Sequence, residues 1–126
     1  MSIKSILLID DDFDEHDIFI NAIKEFGDQY SCTAFTCALQ ALQAIKSCEI
    51  KPDIIFLDLN MPGMNGEDFL FGLEAFSPSH AIPIVIYTAH ISPYNISPGW
   101  PGVEYHLTKP ASFNELVASL TVILQR

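Results

Sequence analysis

The sequence predicts an α/β domain in which a parallel β-sheet lies between two layers of helices. Short, almost wholly apolar runs alternate along the chain with longer segments whose apolar residues recur at helical spacing. The apolar runs lack the polar–apolar alternation of a half-exposed sheet, so we expect the strands to be buried on both faces. Glycine and proline residues mark turns between several of these segments.

The first half of the chain predicts three strands and two helices. Residues 3–9 form an apolar strand that ends at three aspartates, and residues 14–26 carry a helical stripe that Gly27 terminates. Residues 30–35 predict a weaker strand, residues 37–47 a second helix and residues 53–57 a strongly apolar third strand. On the first helix we expect His16 to face solvent, and we expect a buried stripe of Ile18, Phe19, Ala22, Ile23 and Phe26.

The second half predicts a helix, two strands and a last helix. The helix covers roughly residues 67–76, and the strands cover residues 82–87 and 103–107. The last helix follows Ser112, which forms a capping-box pattern with Glu115. Its apolar stripe consists of Phe113, Leu116, Val117, Leu120 and Leu124.

Length and charge narrow the function. The chain has 126 residues, which is the length of one domain, and a net charge of -10. Such a charge argues against binding to nucleic acid or to an anionic membrane. The three cysteines show no disulfide or metal spacing, and no signal peptide or membrane span is evident, so we expect a cytoplasmic protein.

Polar residues follow four of the five strands. Asp10, Asp11 and Asp12 follow the first strand, and Asp58 follows the third. Thr88 and Ala89 follow the fourth strand, and Lys109 and Pro110 lie just beyond the fifth. In a parallel α/β sheet the ligand site lies at the carboxyl ends of the strands, so we expect these residues to converge.

The converging groups suit phosphoryl transfer. Neighbouring carboxylates repel one another, so either a cation must offset the repulsion or one carboxylate must take up a proton. Among cations, Mg²⁺ prefers one or two carboxylates together with phosphate oxygens. Lys109 supplies a positive charge for a phosphoryl oxygen, and Thr88 supplies a hydrogen-bond donor. Asp58 is then a carboxylate able to form an aspartyl phosphate.

The same segments resemble the response-regulator receiver domains of two-component signalling, including the chemotaxis regulators. The resemblance rests on Leu7 to Asp12, on Asp58 to Gly66, on Tyr87-Thr88-Ala89 and on Lys109-Pro110, and it covers essentially the whole chain. It implies a flavodoxin-like, doubly wound sheet of five parallel strands in the order 2-1-3-4-5. It also implies a phosphorylation-activated regulator, not an enzyme in the ordinary sense, that works with Mg²⁺.

The resemblance assigns a role to each site residue. Asp58 is expected to be the phosphoacceptor. Asp10, Asp11, Asp58 and the backbone carbonyl of Asn60 are expected to bind Mg²⁺. Thr88, Lys109 and the backbone of Ala89 are expected to contact the phosphoryl group, and Pro110 is expected to follow a cis peptide bond.

Two features depart from the family pattern. The family has a helix between the fourth and fifth strands, but here residues 93–102 contain three prolines and two glycines, so we expect a short or irregular helix. The family usually has Tyr or Phe at the position of His106. We expect His106 to act with Thr88 as the conformational switch, which would make the switch sensitive to pH. Trp100 is expected to be a packing residue.

The sequence leaves three functions open. The leading one is a single-domain regulator, residues 1–126, that takes its phosphoryl group from a histidine kinase or phosphotransfer protein. It would act on an unknown downstream protein as a monomer or weak dimer, with no nucleic acid and no membrane. The alternatives are a small Mg²⁺-dependent phosphohydrolase with an aspartyl-phosphate intermediate, and a degenerate receiver that serves only as a binding scaffold.

Overall fold

The computed structural model describes residues 4–59, 61, 63–76, 82–89 and 102–125. Within them, five strands form one sheet in the order β2-β1-β3-β4-β5, and every neighbouring pair is parallel. This arrangement confirms the predicted fold class and strand order. No helix in the described ranges is long and apolar enough to cross a membrane.

The elements follow the predicted order. The strands are β1 (Lys4–Ile9), β2 (Tyr30–Phe35), β3 (Ile54–Leu57), β4 (Ile84–Thr88) and β5 (Val103–Thr108). The helices are α1 (Phe13–Lys24), α2 (Ala38–Lys46), α3 (Gly66–Phe76) and α4 (Phe113–Leu124). The irregular helix expected between β4 and β5, and Trp100 with it, lie outside the described residues.

The sheet separates two apolar cores. One face packs against α2 and α3 through Leu7, Ile9, Ile55, Leu57 and their neighbours. The other face packs against α1 and α4, and its centre is an aromatic cluster of Phe19, Phe56 and Tyr87 with ring centroids 4.9–6.2 Å apart. Each of these side chains contributes about 1.5–3 kcal/mol through burial, so the central strands form a rigid base for the residues that follow them.

Side-chain caps fix the starts of two helices, and the Ser112–Glu115 capping pattern expected from the sequence is present in part. Ser112 Oγ accepts a hydrogen bond from Glu115 N at 3.1 Å, and the Glu115 carboxylate accepts one from the backbone N–H of Ala111, one residue before the cap, at 3.3 Å. At the start of α1, the Asp12 carboxylate accepts a hydrogen bond from Asp14 N at 2.9 Å. Both helix N-termini are therefore fixed next to the carboxyl ends of β1 and β5.

The predicted buried face of α1 is wrong in its first turn. Ile18 is 43% exposed, whereas His16 is only 7% exposed. Because His16, Phe19 and Ile23 lie three and four positions apart, they form one helical stripe that begins two residues earlier than expected. The buried position suits His16 because one of its ring nitrogens has a hydrogen-bond partner there.

A bulge interrupts the pairing of β4 with β5. Ile84 pairs with Val103, but Val85 pairs with Tyr105, so Glu104 is the extra residue. As a result Val103 packs on the α2/α3 side of the sheet and Tyr105 packs on the α1/α4 side. His106 pairs with Ile86 and is exposed, on the face opposite to that of Tyr105, as strand alternation predicts.

Candidate functional site

The carboxyl ends of β1, β3, β4 and β5 bring four polar side chains together. Lys109 Nζ lies 2.7 Å from Asp10 Oδ2 and 3.5 Å from Asp58 Oδ2. Thr88 Oγ1 donates a hydrogen bond to Asp58 Oδ1 at 3.0 Å. The convergence expected from the sequence is therefore present, and it arises because parallel strands end at the same edge of the sheet.

Asp10 is the most deeply buried acid of the site. Its exposure is 0%, and its Oδ1 accepts a hydrogen bond from Asp12 N at 3.0 Å. Within the described residues its Oδ2 has the ion pair with Lys109 but no hydrogen bond of good geometry. One oxygen of Asp10 therefore faces a cation without being saturated by hydrogen bonds.

Burial and neighbouring charge have opposite effects on the pKa values of the ion pair between Asp10 and Lys109. Burial raises the pKa of Asp10, although Lys109 and the Asp12 backbone N–H oppose the rise. Burial alone would lower the pKa of Lys109, but Asp10, and to a lesser extent Asp58 and Glu15, raise it. The raised pKa of Lys109 means that the site favours its charged form, whereas the raised pKa of Asp10 means that the site disfavours its charged form. The two shifts therefore disagree on whether the ion pair is favourable. The side chain of Lys109 keeps 16% exposure and that of Asp10 keeps none, so the desolvation cost falls mainly on Asp10.

Asp58 is a buried carboxylate at the carboxyl end of β3. It is 5% exposed, directly follows β3, and is held in the sheet by a hydrogen bond from its backbone N to Ile9 O at 2.9 Å. One carboxylate oxygen faces the Thr88 hydroxyl and the other faces the Lys109 ammonium. The side chain is thus oriented by two groups that could instead contact oxygens of a transferred phosphoryl group.

The three expected carboxylate ligands form one cluster. One oxygen from each of Asp10, Asp11 and Asp58 lies within 4.8 Å of the other two. Asp11 is exposed and opens the cluster to solvent, whereas Asp10 and Asp58 are buried. Hard oxygen donors, an open side for water and an unsaturated Asp10 oxygen fit Mg²⁺ well. The expected fourth ligand, the carbonyl of Asn60, lies outside the described residues.

The loop after β3 approaches the site through Gly66. A Cβ atom on Gly66 would lie 2.7 Å from Leu59 Cδ2, 3.1 Å from Leu59 Cα and 3.4 Å from Asp58 O. Because the Leu59 Cα atom belongs to the backbone, a side chain at position 66 would require the chain next to Asp58 to move by a few tenths of an ångström. Met61, also in this loop, packs into the core beside α2 and α3.

Two further expectations concern the residues after β4 and β5. Ala89 directly follows Thr88 and is exposed, so its backbone borders the site. The expected cis bond before Pro110 is wrong, because no cis peptide bond occurs in the described part of the chain. That expectation came from resemblance alone, and the bond keeps the trans form that X–Pro bonds prefer by about 0.5–1 kcal/mol. Lys109 reaches both carboxylates with the trans bond in place.

The structure adds two residues that sequence reasoning missed. His16 Nε2 hydrogen-bonds the backbone carbonyl of Asp10 at 2.5 Å. Glu15 lies close to the site. Burial and the negative charges of Asp10, Asp12 and Asp58 raise the pKa of Glu15, and the positive charge of Lys109 opposes this rise. The spacing of His16 from Phe19 and Ile23 is the sequence signal that could have identified the first of them.

Comparison with known proteins agrees with this geometry. The family described as response regulator receiver domain matches residues 6–121. The DNA-binding response regulator MtrA of Mycobacterium leprae is 33% identical over 124 residues, covering 98% of this chain and 52% of that protein. The phosphate regulon transcriptional regulatory protein PhoB of Pseudomonas aeruginosa has the same identity and coverage. The chain thus spans about half the length of the curated relatives it matches.

Solved structures show the same fold. The phosphorylated cyanobacterial phytochrome response regulator RcpA superposes with a TM-score of 0.84 at 21% identity, covering 98% of this chain and 93% of that one. A CheY-like receiver domain protein from Methanospirillum hungatei gives 0.79 at 22% identity, covering 98% and 95%. The chain belongs to the response regulator receiver domain family. Members of this family are signalling domains of response regulators, which are phosphorylated on an aspartate.

Proposed function

We propose that this receiver domain accepts a phosphoryl group on Asp58 from a histidine kinase or a phosphotransfer protein. The observation that carries the proposal is the pairing of the two Asp58 oxygens with Thr88 and Lys109. A buried carboxylate held between a hydroxyl donor and an ammonium is prepared both for attack on phosphorus and for stabilising the product.

The chain's own residues account for the transfer. An oxygen of Asp58 forms a bond to phosphorus while the bond between phosphorus and the donor nitrogen breaks, and the leaving imidazole takes up a proton from solvent. Thr88 can then donate to a phosphoryl oxygen instead of to Asp58, and Lys109 neutralises part of the added charge. The backbone N–H of Ala89, at the open side of the site, would bind a further phosphoryl oxygen.

Magnesium fits the acidic side of the same pocket. Asp10, Asp11 and Asp58, with the carbonyl of Asn60, would hold it, since the three carboxylates already converge within 4.8 Å. Bound Mg²⁺ would neutralise charge on the carboxylates and on the phosphoryl oxygens.

Thr88 and His106 would carry the signal away from the site. Thr88 ends β4 on the same face of the sheet as Ile86, and His106 pairs with Ile86 on the adjacent strand. When Thr88 turns toward the phosphoryl group, the space beside β5 changes and His106 can repack. The ring ¹H–¹⁵N resonances of His106 should therefore move on phosphorylation, and unchanged resonances would contradict this role.

Phe13, at the start of α1 beside the pocket, is 73% exposed and offers an apolar surface to a phosphoryl donor.

We propose that the phosphorylated domain passes its signal on by contact with another protein. The curated relatives are named as DNA-binding or transcriptional regulators, but this chain matches only about half of their length. A net charge of -10 supports a domain that does not itself bind nucleic acid or an anionic membrane.

One experiment tests the assignment of Asp58. The protein is incubated with Mg²⁺ and acetyl phosphate, and its intact mass is followed with time. We expect a single phosphoryl adduct in the wild type, none in Asp58→Asn, and a normal adduct in the matched control Asp28→Asn, whose side chain is exposed. An adduct that survives in Asp58→Asn would place phosphorylation on another residue.

The same incubation with a phosphoryl donor distinguishes a regulator from the two alternatives, a small phosphohydrolase and a degenerate binding scaffold. Rapid, repeated turnover of simple phosphate esters would favour the phosphohydrolase. Failure to form any adduct, with acetyl phosphate or with a phosphorylated donor protein, would favour the scaffold. Slow loss of the adduct after the donor is removed is what we expect of a regulator that dephosphorylates itself.

A further inference from the structure

His16 occupies an unusual place for a polar residue. It lies in the first turn of α1, on the buried side of that helix, and is 7% exposed. Its ring packs against Phe13 with the centroids 5.6 Å apart. The function proposed above gives His16 no role, and the ring is too well buried to be a surface residue.

The hydrogen bond of His16 goes to the backbone at the site. Its Nε2 lies 2.5 Å from the carbonyl oxygen of Asp10. Because a carbonyl can only accept, Nε2 must carry the proton. On its other side, Asp10 donates its backbone N–H to Phe35 O at 3.0 Å. The backbone of Asp10 is therefore held from both directions, by β2 and by α1.

This bond fixes the orientation of the next residue. The carbonyl of Asp10 and the N–H of Asp11 belong to one planar peptide unit. Fixing the orientation of the carbonyl therefore also fixes the orientation of the Asp11 N–H and the position of the Asp11 Cα atom. The Asp11 carboxylate itself is exposed and has no hydrogen bond or ion pair within the described ranges. Its place in the cluster depends on where the backbone directs it.

We propose that His16 is a positioning residue of the metal site, which orients the Asp10–Asp11 peptide so that both carboxylates face the same cation. This inference rests on the proposed function, because it requires the cluster of Asp10, Asp11 and Asp58 to bind Mg²⁺. Removing the donor leaves a buried carbonyl unsatisfied, and the peptide relieves this by rotating toward water. Residues that orient metal ligands typically contribute 10–100-fold to affinity, and we expect about tenfold here.

The test measures Mg²⁺ binding by calorimetry, without any phosphoryl donor. His16→Gln keeps an N–H donor at a similar reach, whereas His16→Asn has the same amide on a shorter side chain. His16→Phe keeps a buried ring and removes the donor. Ile45→Ala, in the core under α2, is a control that loses stability far from the site.

We expect the dissociation constant for Mg²⁺ to rise about tenfold in the Phe and Asn variants and to stay near the wild-type value in the Gln variant and in Ile45→Ala. Wild-type affinity in a folded Phe or Asn variant would overturn the role of His16 and leave the proposed function standing. An equal loss in Ile45→Ala would also overturn it, since affinity would then merely follow stability. Absence of Mg²⁺ binding in the wild type would overturn the proposed metal site, and the role of His16 with it.

Discussion

Substitution of Gly66 by alanine tests how closely the loop after β3 is coupled to Asp58. The new Cβ would lie 3.1 Å from Leu59 Cα and 2.7 Å from Leu59 Cδ2. Carbon atoms in contact prefer a separation of about 3.5–4.0 Å. The Cδ2 atom can rotate away with its side chain, but the Cα atom can move only if the backbone moves. Any such movement is passed on to the preceding residue, Asp58.

The two energetic effects of this change oppose each other. Overpacking at a site of this kind costs about 1–3 kcal/mol. Replacing glycine by alanine inside a helix returns up to about 1 kcal/mol, and less at a first helical position such as this one. We therefore expect a net loss of about 1 kcal/mol in the free energy of unfolding, which lowers the melting temperature by about 3–5 °C.

The effect on the site should exceed the effect on stability. A shift of a few tenths of an ångström in the Leu59 backbone moves Asp58 relative to Thr88 and Lys109, and misplacement of about 1 Å can cost on the order of a hundredfold in rate. We expect phosphorylation by acetyl phosphate to slow by about tenfold. The assay follows the intact-mass adduct with time, together with thermal unfolding of the same samples.

Gly72 provides the matched control. Outside its own helix, the three atoms nearest to a Cβ atom there all belong to the Leu42 side chain, with Cδ2 at 2.7 Å and the other two at 3.9 Å. Gly72→Ala should therefore change stability by less than about 1 kcal/mol and leave the phosphorylation rate unchanged. Wild-type phosphorylation in Gly66→Ala, or equal slowing in Gly72→Ala, would refute the coupling through Leu59.

Three other changes have defined outcomes. Burial raises the pKa of Asp10 above its ordinary 3.8, so the folded state binds this proton more tightly than the unfolded chain does. The free energy of unfolding of the metal-free protein, measured with urea, should therefore rise as the pH falls from neutral toward 3.8. Asp10→Asn should flatten this trend. Cys48 has φ +63°, so Cys48→Gly should increase the free energy of unfolding by about 0.5–1 kcal/mol, and no gain in urea denaturation would argue against backbone strain there. Burial raises the pKa of the Cys32 thiol to about 12, so iodoacetamide at pH 7.5 should modify the exposed Cys48 first and Cys32 only after unfolding, as peptide mapping would show.

Most of the fold follows from the apolar pattern of the sequence. The apolar runs before Asp10, Asp58 and Thr88 form the three inner strands, and the segments at residues 30–35 and before Lys109 form the two edges of the sheet. Because parallel strands end on one side, the site residues could be grouped before any distance was known. The roles assigned to them came from family resemblance, and those roles remain predictions.

The errors arose where the sequence pattern is ambiguous. His16 and Ile18 lie near the start of α1, where a buried stripe can begin at either residue, and a histidine suits the buried face because the carbonyl of Asp10 accepts its hydrogen bond. The bond before Pro110 has no local signal for either isomer. The bulge at Glu104 depends on how two strands pair, which the composition of β5 alone does not reveal.

That bulge also determines where the chain can change length. A residue gained or lost ahead of Tyr105 can be absorbed at Glu104, because the pairing is already irregular there. A residue gained or lost between Tyr105 and Lys109 has no such relief, and it would turn the lysine away from both aspartates. We therefore expect insertions and deletions in functional variants of this chain to occur before Tyr105, with the spacing from Tyr105 to Lys109 unchanged.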